Sequence, residues 1–154
     1  MIRFICVLFL VLAVAAPCLG QQSLVGAYRM VSNTLTIDGI LTENMGKVPN
    51  GYLVFTPTRV VFFFTGEARK FGTSPVDKAS LFDTLTAWAG SYRLEGNKIV
   101  VNVDASWTEN WNGMEQVRYW ELSGNRLTLT AEPQPYPRDP SKTAVSKQIW
   151  EKVE

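Results

Sequence analysis

The chain has 154 residues, with 15 Lys and Arg against 14 Asp and Glu and no histidine. The near-neutral balance, without a clustered basic stretch, argues against a nucleic-acid partner. The absence of histidine excludes Ser-His-Asp and Cys-His nucleophilic sites and any metal site with imidazole ligands. The acidic residues lack the dense spacing of a calcium loop, so the sequence predicts no metal and no cofactor.

The N-terminus has the pattern of a secretory signal peptide. Arg3 precedes an apolar run over residues 4–16, which is too short to span a bilayer. Small residues then lead to Gly20, and polar residues follow it. Cleavage is expected after Gly20, although Ala15 also offers a cleavage point.

Cleavage at this point divides the chain into residues 1–20, the signal peptide, and a single domain over residues 21–154. Both Cys6 and Cys18 leave with the peptide, so the mature chain is predicted to contain no thiol or disulfide. A lipid anchor on Cys18 is disfavoured because Pro17 stands where a small residue is needed. We therefore expect a secreted or periplasmic protein.

Short alternating segments predict eight β-strands in the mature chain. They cover residues 24–35, 51–56, 59–65, 92–95, 98–104, 115–122, 126–130 and 144–152. Tight turns between several of them favour an antiparallel order. The fold class expected is therefore mainly β, an eight-stranded up-and-down barrel whose interior is filled by side chains or holds one small ligand.

One helix is predicted between the third and fourth strands, over residues 75–89. Ser74 followed by Pro75 fits an N-cap with proline at the first helical position, and Gly90 fits the C-terminal end. The apolar positions recur at helical spacing, at Ala79, Phe82, Leu85 and Ala89. Trp88, beside this stripe, is expected to pack the helix against the barrel.

The third strand is apolar on both faces because Phe62, Phe63 and Phe64 follow one another. The interior is lined either by the pair Phe62 and Phe64 or by Phe63 alone. The choice depends on the strand register, which the sequence leaves open. The opposite face then needs a covering helix, a loop or a partner chain. A homodimer through this face is therefore one prediction.

A series of short segments runs through the mature chain in a recognisable order. They are LVGAYRMVS at 24–32, GYLVFTP at 51–57, AGSY at 89–92, NWNGMEQVR at 110–118, LTL at 127–129 and IWEK at 149–152. In this order they resemble the lipocalin-like domain family of bacteria and fungi, which are small calycin-type barrels. The resemblance covers most of the mature chain and implies an eight-stranded barrel.

The chain also departs from that family's pattern. Tyr28 stands where the opening strand usually has tryptophan, and Lys152 stands where relatives have arginine. Many relatives carry a histidine on the strand that here contains Val101 and Asn102, and this chain has none. The resemblance therefore implies the barrel, while a family activity that needs the histidine is not expected here.

Arg118 is the first candidate site residue. The two-residue period of a strand places it on one face with Trp120 and Leu122, which indicates an inward side chain. Such an arginine is tied structurally to an amide, a backbone carbonyl, Glu115 or Asp104, or it is positioned for an anionic ligand.

Trp107 and Trp111 flank a polar loop at one barrel mouth, where they either close over an apolar ligand or plug the end as core. Asn102 and Asp104 face solvent if the valines of their strand face inward. In the opposite register, Asp104 lies beside Arg118 as an acid–base pair. The candidate ligand-binding residues are Tyr28, Phe55, Phe62, Tyr92, Trp107, Trp111, Arg118 and Trp120.

The function that the sequence favours is binding of a small, largely apolar or amphipathic ligand in the barrel interior. One alternative is a barrel with a packed core that dimerises or docks a protein partner. The other is a cofactor-free isomerase or cyclase, for which only Asp104, Glu115, Tyr92 and Arg118 are available. No catalytic residue is assigned, and stable membrane insertion after cleavage is not expected.

Overall fold

The structure, a computed structural model, describes residues 23–43, 45–136 and 139–154. The predicted signal peptide, its cleavage points and both cysteines lie outside these residues. Within the described ranges, no helix is long and apolar enough to cross a bilayer.

Ten strands, one α-helix and one 3₁₀ turn make up the described chain. The strands are β1 (Gly26–Ile37), β2 (Ile40–Thr42), β3 (Asn50–Phe55), β4 (Arg59–Thr65), β5 (Leu85–Glu95), β6 (Lys98–Ser106), β7 (Glu115–Ser123), β8 (Arg126–Ala131), β9 (Gln134–Tyr136) and β10 (Asp139–Lys152). The helix α1 is Pro75–Asp83, and the 3₁₀ turn is Glu109–Trp111.

Eight of these strands form a closed antiparallel barrel. Its order is β1-β3-β4-β5-β6-β7-β8-β10, and pairing of β10 with β1 closes it, from Tyr28 opposite Lys152 to Ile37 opposite Ala144. The short strands β2 and β9 extend it at β1 and β10. The predicted mainly β fold with an eight-stranded antiparallel barrel is thereby confirmed.

The helix lies after β4, so its predicted position between the third and fourth strands is wrong. The strand β2 was not predicted from the sequence, because its three residues are too few to show a period. The predicted N-terminus is confirmed: Ser74 Oγ accepts from the Asp77 backbone N–H at 3.1 Å, and the Asp77 carboxylate accepts from the Ser74 N–H at 3.1 Å. This reciprocal pair is a capping box.

The helix also ends six residues earlier than predicted, at Asp83. None of its residues is buried, so little packing favours extending it, whereas Leu85 to Ala89 gain a full ladder with β4. Trp88 is therefore a strand residue that points into the barrel, and its expected role in helix packing is wrong. Gly90 lies within β5, where an added Cβ would overlap the Asn102 carbonyl oxygen.

A β-bulge in β1 changes which side chains face inward. The register with β10 skips Val31, between Met30 and Ser32. Tyr28 and Met30 are buried before the bulge, and Asn33 is buried after it. A bulge shifts the two-residue alternation by one, so Asn33 and Leu35 turn towards the interior.

The two ends of the barrel differ because the connections differ in length. Short turns at 56–58, 96–97 and 124–125 join strands at one end, which we call the closed end. The longer connections 38–49, 66–84, 107–114 and 132–138 all lie at the other, which we call the open end. The helix α1 belongs to the open end.

Candidate functional site

Aromatic side chains fill the barrel at the closed end. The Phe55 ring meets Tyr28 and Tyr92 edge-on, with centroids 6.2 and 5.1 Å apart. The Tyr28 hydroxyl donates to the Leu24 carbonyl and the Tyr92 hydroxyl to the Thr56 carbonyl, each at 3.0 Å. Burial raises the pKa of both tyrosines, so they remain neutral donors. This end is a packed core.

A cavity of about 330 Å³ occupies the open end. Its apolar lining includes Leu35, Met45, Phe62, Phe64, Trp88, Trp107 and Trp111. Its polar lining includes Asn33, Arg118, Gln134, Ser146 and Gln148. An apolar concavity with a few convergent polar groups is the usual form of a small-molecule site, and this volume lies at the small end of the range of about 300–1,000 Å³.

Stacked aromatic rings form the wall of the cavity. The rings of Phe62 and Trp88, opposite each other on β4 and β5, lie nearly parallel with centroids 4.7 Å apart. Phe64 meets Phe62 edge-on at 5.4 Å. Such contacts favour these ring orientations, so the wall presents flat apolar surface to the cavity.

Two tryptophans and the end of α1 form the rim. Trp107 and Trp111 meet edge-on at 6.3 Å, and the Phe82 ring lies 4.5 Å from Trp107. Phe82 is itself half-exposed. The rim is therefore aromatic and partly open to solvent. Trp107 and Trp111 are placed at the mouth, as the sequence analysis expected.

Arg118 is the charged group inside the barrel. Only 8% of it is exposed. Its Nη1 donates to the Val117 carbonyl at 2.7 Å and its Nη2 to Gln116 Oε1 at 3.2 Å. Burial lowers the pKa of Arg118 to about 10, which leaves the guanidinium charged at neutral pH. The predicted inward direction is confirmed, and the guanidinium donates to an amide and to a backbone carbonyl, two of the partners that the sequence left open.

The carboxylates considered as partners of Arg118 lie on the outer surface instead. Asp104 accepts from Arg59 at 2.7 Å, and Glu115 accepts from Arg93 at 2.8 Å. Asp104 is displaced by a bulge in β6, and Asn102 is exposed beside it, so the prediction that both face solvent is confirmed. The alternative acid–base pair of Asp104 with Arg118 is wrong.

Gln148 and Trp107, which line the cavity, each have a buried polar atom without a hydrogen-bond partner among the described residues. The Gln148 amide nitrogen donates to Asn33 Oδ1 at 3.3 Å, while its buried Oε1 accepts from no group in the described parts of the chain. The buried Nε1 of Trp107 likewise finds no acceptor there. Both atoms are covered by the surrounding protein, so a bound molecule reaches them only if a neighbouring side chain moves.

The structure separates the eight predicted ligand-binding residues into two groups. Phe62, Trp107, Trp111 and Arg118 line the cavity. Tyr28, Phe55 and Tyr92 lie in the packed closed end. Trp120 packs against the core and donates from Nε1 to the Gly96 carbonyl, also at the closed end. The first four come together in one place, and the other four do not join them.

Several cavity residues were not identified from the sequence. Asn33 was missed because the β1 bulge reverses its face, and Trp88 because its segment has helical spacing. Gln148 lies on a strand whose inward face also carries Ala144, Ser146 and Trp150. Its position two residues before Trp150 is the signal that could have identified it.

The described ranges contain no cluster of three or more Cys, Asp or Glu side chains that could hold a metal ion. Of the carboxylates described, Asp83 lines the cavity, and it lies at the exposed rim where α1 ends.

Comparison with known proteins identifies one family. The model of the lipocalin-like domain matches residues 25–153, nearly all of the chain after the predicted signal peptide. A search of curated proteins finds no match.

Proposed function

Because the chain belongs to the lipocalin-like domain family, we propose that it binds a small, largely apolar ligand in the open end of its barrel. The observation that carries this proposal is the cavity of about 330 Å³ with its aromatic wall. Burial of an apolar body against rings that are already fixed needs little ordering of the protein. A packed interior would offer no such space.

The test fills the cavity and measures binding of a neutral apolar dye, N-phenyl-1-naphthylamine, by its fluorescence. Ala144 lies on the cavity wall and is 3% exposed, so Ala144→Phe places a ring in the space. The matched control is Ala105→Phe, since Ala105 is exposed on β6. We expect dye binding by the native protein and the control, and at least about tenfold weaker binding by Ala144→Phe. Equal binding by all three proteins would contradict the proposal.

A second candidate function is dimerisation through the outer wall of β3 and β4. Tyr52 pairs with Phe63 and Val54 with Val61, and each of the four is between 37% and 47% exposed. Sedimentation at increasing concentration tests this, with Phe63→Lys as the disrupting variant. Phe71→Lys is the control, since Phe71 is 90% exposed in the connection before α1 and belongs to neither strand. A monomer at all concentrations would remove this candidate.

We also propose that the protein acts outside the cytoplasm. The support is the charge, apolar run and small-residue ending of residues 1–20. Intact-mass measurement of the protein from its own host is expected to give a chain beginning at Gln21. A mass that includes the first twenty residues would contradict cleavage.

A further inference from the structure

The Arg118 guanidinium is buried, and no ion pair to it is found among the described residues. Asp104 and Glu115 pair with arginines on the outer surface, and Asp83 lies at the exposed rim of the cavity. The two hydrogen bonds that it makes use neutral acceptors. A guanidinium has five N–H donors, so three remain for another partner.

An uncompensated buried cation is unusual, because removing a charge from water is costly unless an opposite charge accompanies it. Here the cation borders an open-ended cavity rather than solid core. The same lining includes the Asp83 carboxylate at the exposed rim, so the attraction for an anion is local to the guanidinium, where the dielectric is low. A single positive charge matches a single negative charge, which favours a monoanion over a phosphate dianion.

A second polar group lies in the wall of the same cavity. Gln148 is 5% exposed and lines the same cavity, and its Oε1 has no donor among the groups described. Its amide nitrogen is held by Asn33, which fixes the direction of Oε1. The two amides make this side of the cavity polar, although Oε1 itself is covered by the surrounding protein atoms.

We propose that the ligand is an amphipathic monocarboxylate, with its carboxylate on the Arg118 guanidinium and its hydrocarbon body against the Phe62 and Trp88 rings. Guanidinium and carboxylate match in a two-bond geometry, which gives orientation as well as affinity. This inference rests on the proposed function, since it names the class of ligand for the same cavity.

The experiment compares two competitors of equal chain length, decanoate and 1-decanol, for displacement of N-phenyl-1-naphthylamine at neutral pH. The variants are Arg118→Met, which removes the charge at similar volume, and Arg118→Lys, which retains it. Arg126→Met is the control because Arg126 is exposed on the neighbouring strand β8. We expect decanoate to bind the native protein about tenfold or more tighter than 1-decanol.

In Arg118→Met this preference should vanish while 1-decanol still binds, and Arg118→Lys should restore part of it. If the native protein binds both competitors equally, the monocarboxylate assignment is wrong, whereas the apolar site stands. If neither competitor nor the dye binds, the proposed function itself fails. The comparison in the native protein decides the question even where a variant does not fold.

Discussion

Removing the buried charge should stabilise the ligand-free protein. Burial lowers the pKa of Arg118 to about 10. Since each pKa unit corresponds to 1.36 kcal/mol, burial of this charge destabilises the folded protein by about 3 kcal/mol. Arg118→Met alone leaves Gln116 Oε1 buried without its donor, which costs about 1–3 kcal/mol. Replacing both residues, as Arg118→Met with Gln116→Leu, avoids that loss. Two hydrogen bonds of about 1 kcal/mol each are lost with the charge, so we expect a net gain of about 1 kcal/mol.

Urea unfolding measures this gain, with one slope of unfolding free energy against urea concentration fitted to all variants. The control Arg126→Met, at an exposed position, should have a free energy of unfolding within about 0.5 kcal/mol of the native protein.

The pH dependence of this gain has a definite sign. The pKa of Arg118 is lower in the folded state than in the unfolded state, so its penalty is complete below pH 10 and is relieved as the pH rises above it. The advantage of the double variant should therefore be equal at pH 6 and pH 9. A double variant less stable than the native protein by more than about 1 kcal/mol would refute this reasoning and make Arg118 a structural residue.

Three further predictions concern single sites. Gly90→Ala should destabilise the protein by about 3 kcal/mol or prevent folding, because the Cβ of the new alanine overlaps the Asn102 carbonyl oxygen. The measurement is urea unfolding. A loss of less than about 1 kcal/mol in the free energy of unfolding would contradict the close packing of β5 and β6. Asp104→Asn should change the free energy of unfolding by less than about 1 kcal/mol, because its ion pair with Arg59 is half-exposed; a larger loss would assign Asp104 a role that the surface contact does not explain. Ser74→Ala should lower the local stability of α1 by about 1 kcal/mol, because the capping box loses its hydroxyl. The measurement is amide hydrogen exchange over residues 75–83, which should become faster. Unchanged exchange would contradict the capping box.

The barrel was predictable because its strands carry strong local signals. The alternation Ile99, Val101, Val103 against Asn102 and Asp104 sets the faces of β6, and the structure agrees. The tight turns of the closed end pair strands that are consecutive in the sequence, so the order of these strands in the barrel follows their order along the chain. The capping box at Ser74 is likewise a local signal, since both of its partners lie within four residues.

Features that depend on distant contacts were not predictable. Leu85 to Ala89 have helical spacing, yet pairing with β4 overrides it, because Trp88 gains a stacked contact with Phe62. The bulge at Val31 appears only when β10 sets the register. The cavity follows from the same distant contacts, since the bulge brings Asn33 inward beside Gln148.

The most direct test of ligand binding is native mass spectrometry of the protein purified from its own host, before and after denaturing extraction, with Ala144→Phe prepared in parallel. We predict that the native protein carries a small adduct that denaturation releases, and that Ala144→Phe lacks it. The released molecule should be amphipathic and bear one carboxyl group. The same bare mass for both proteins, together with no binding of the apolar dye, would contradict a ligand site in the open end of the barrel.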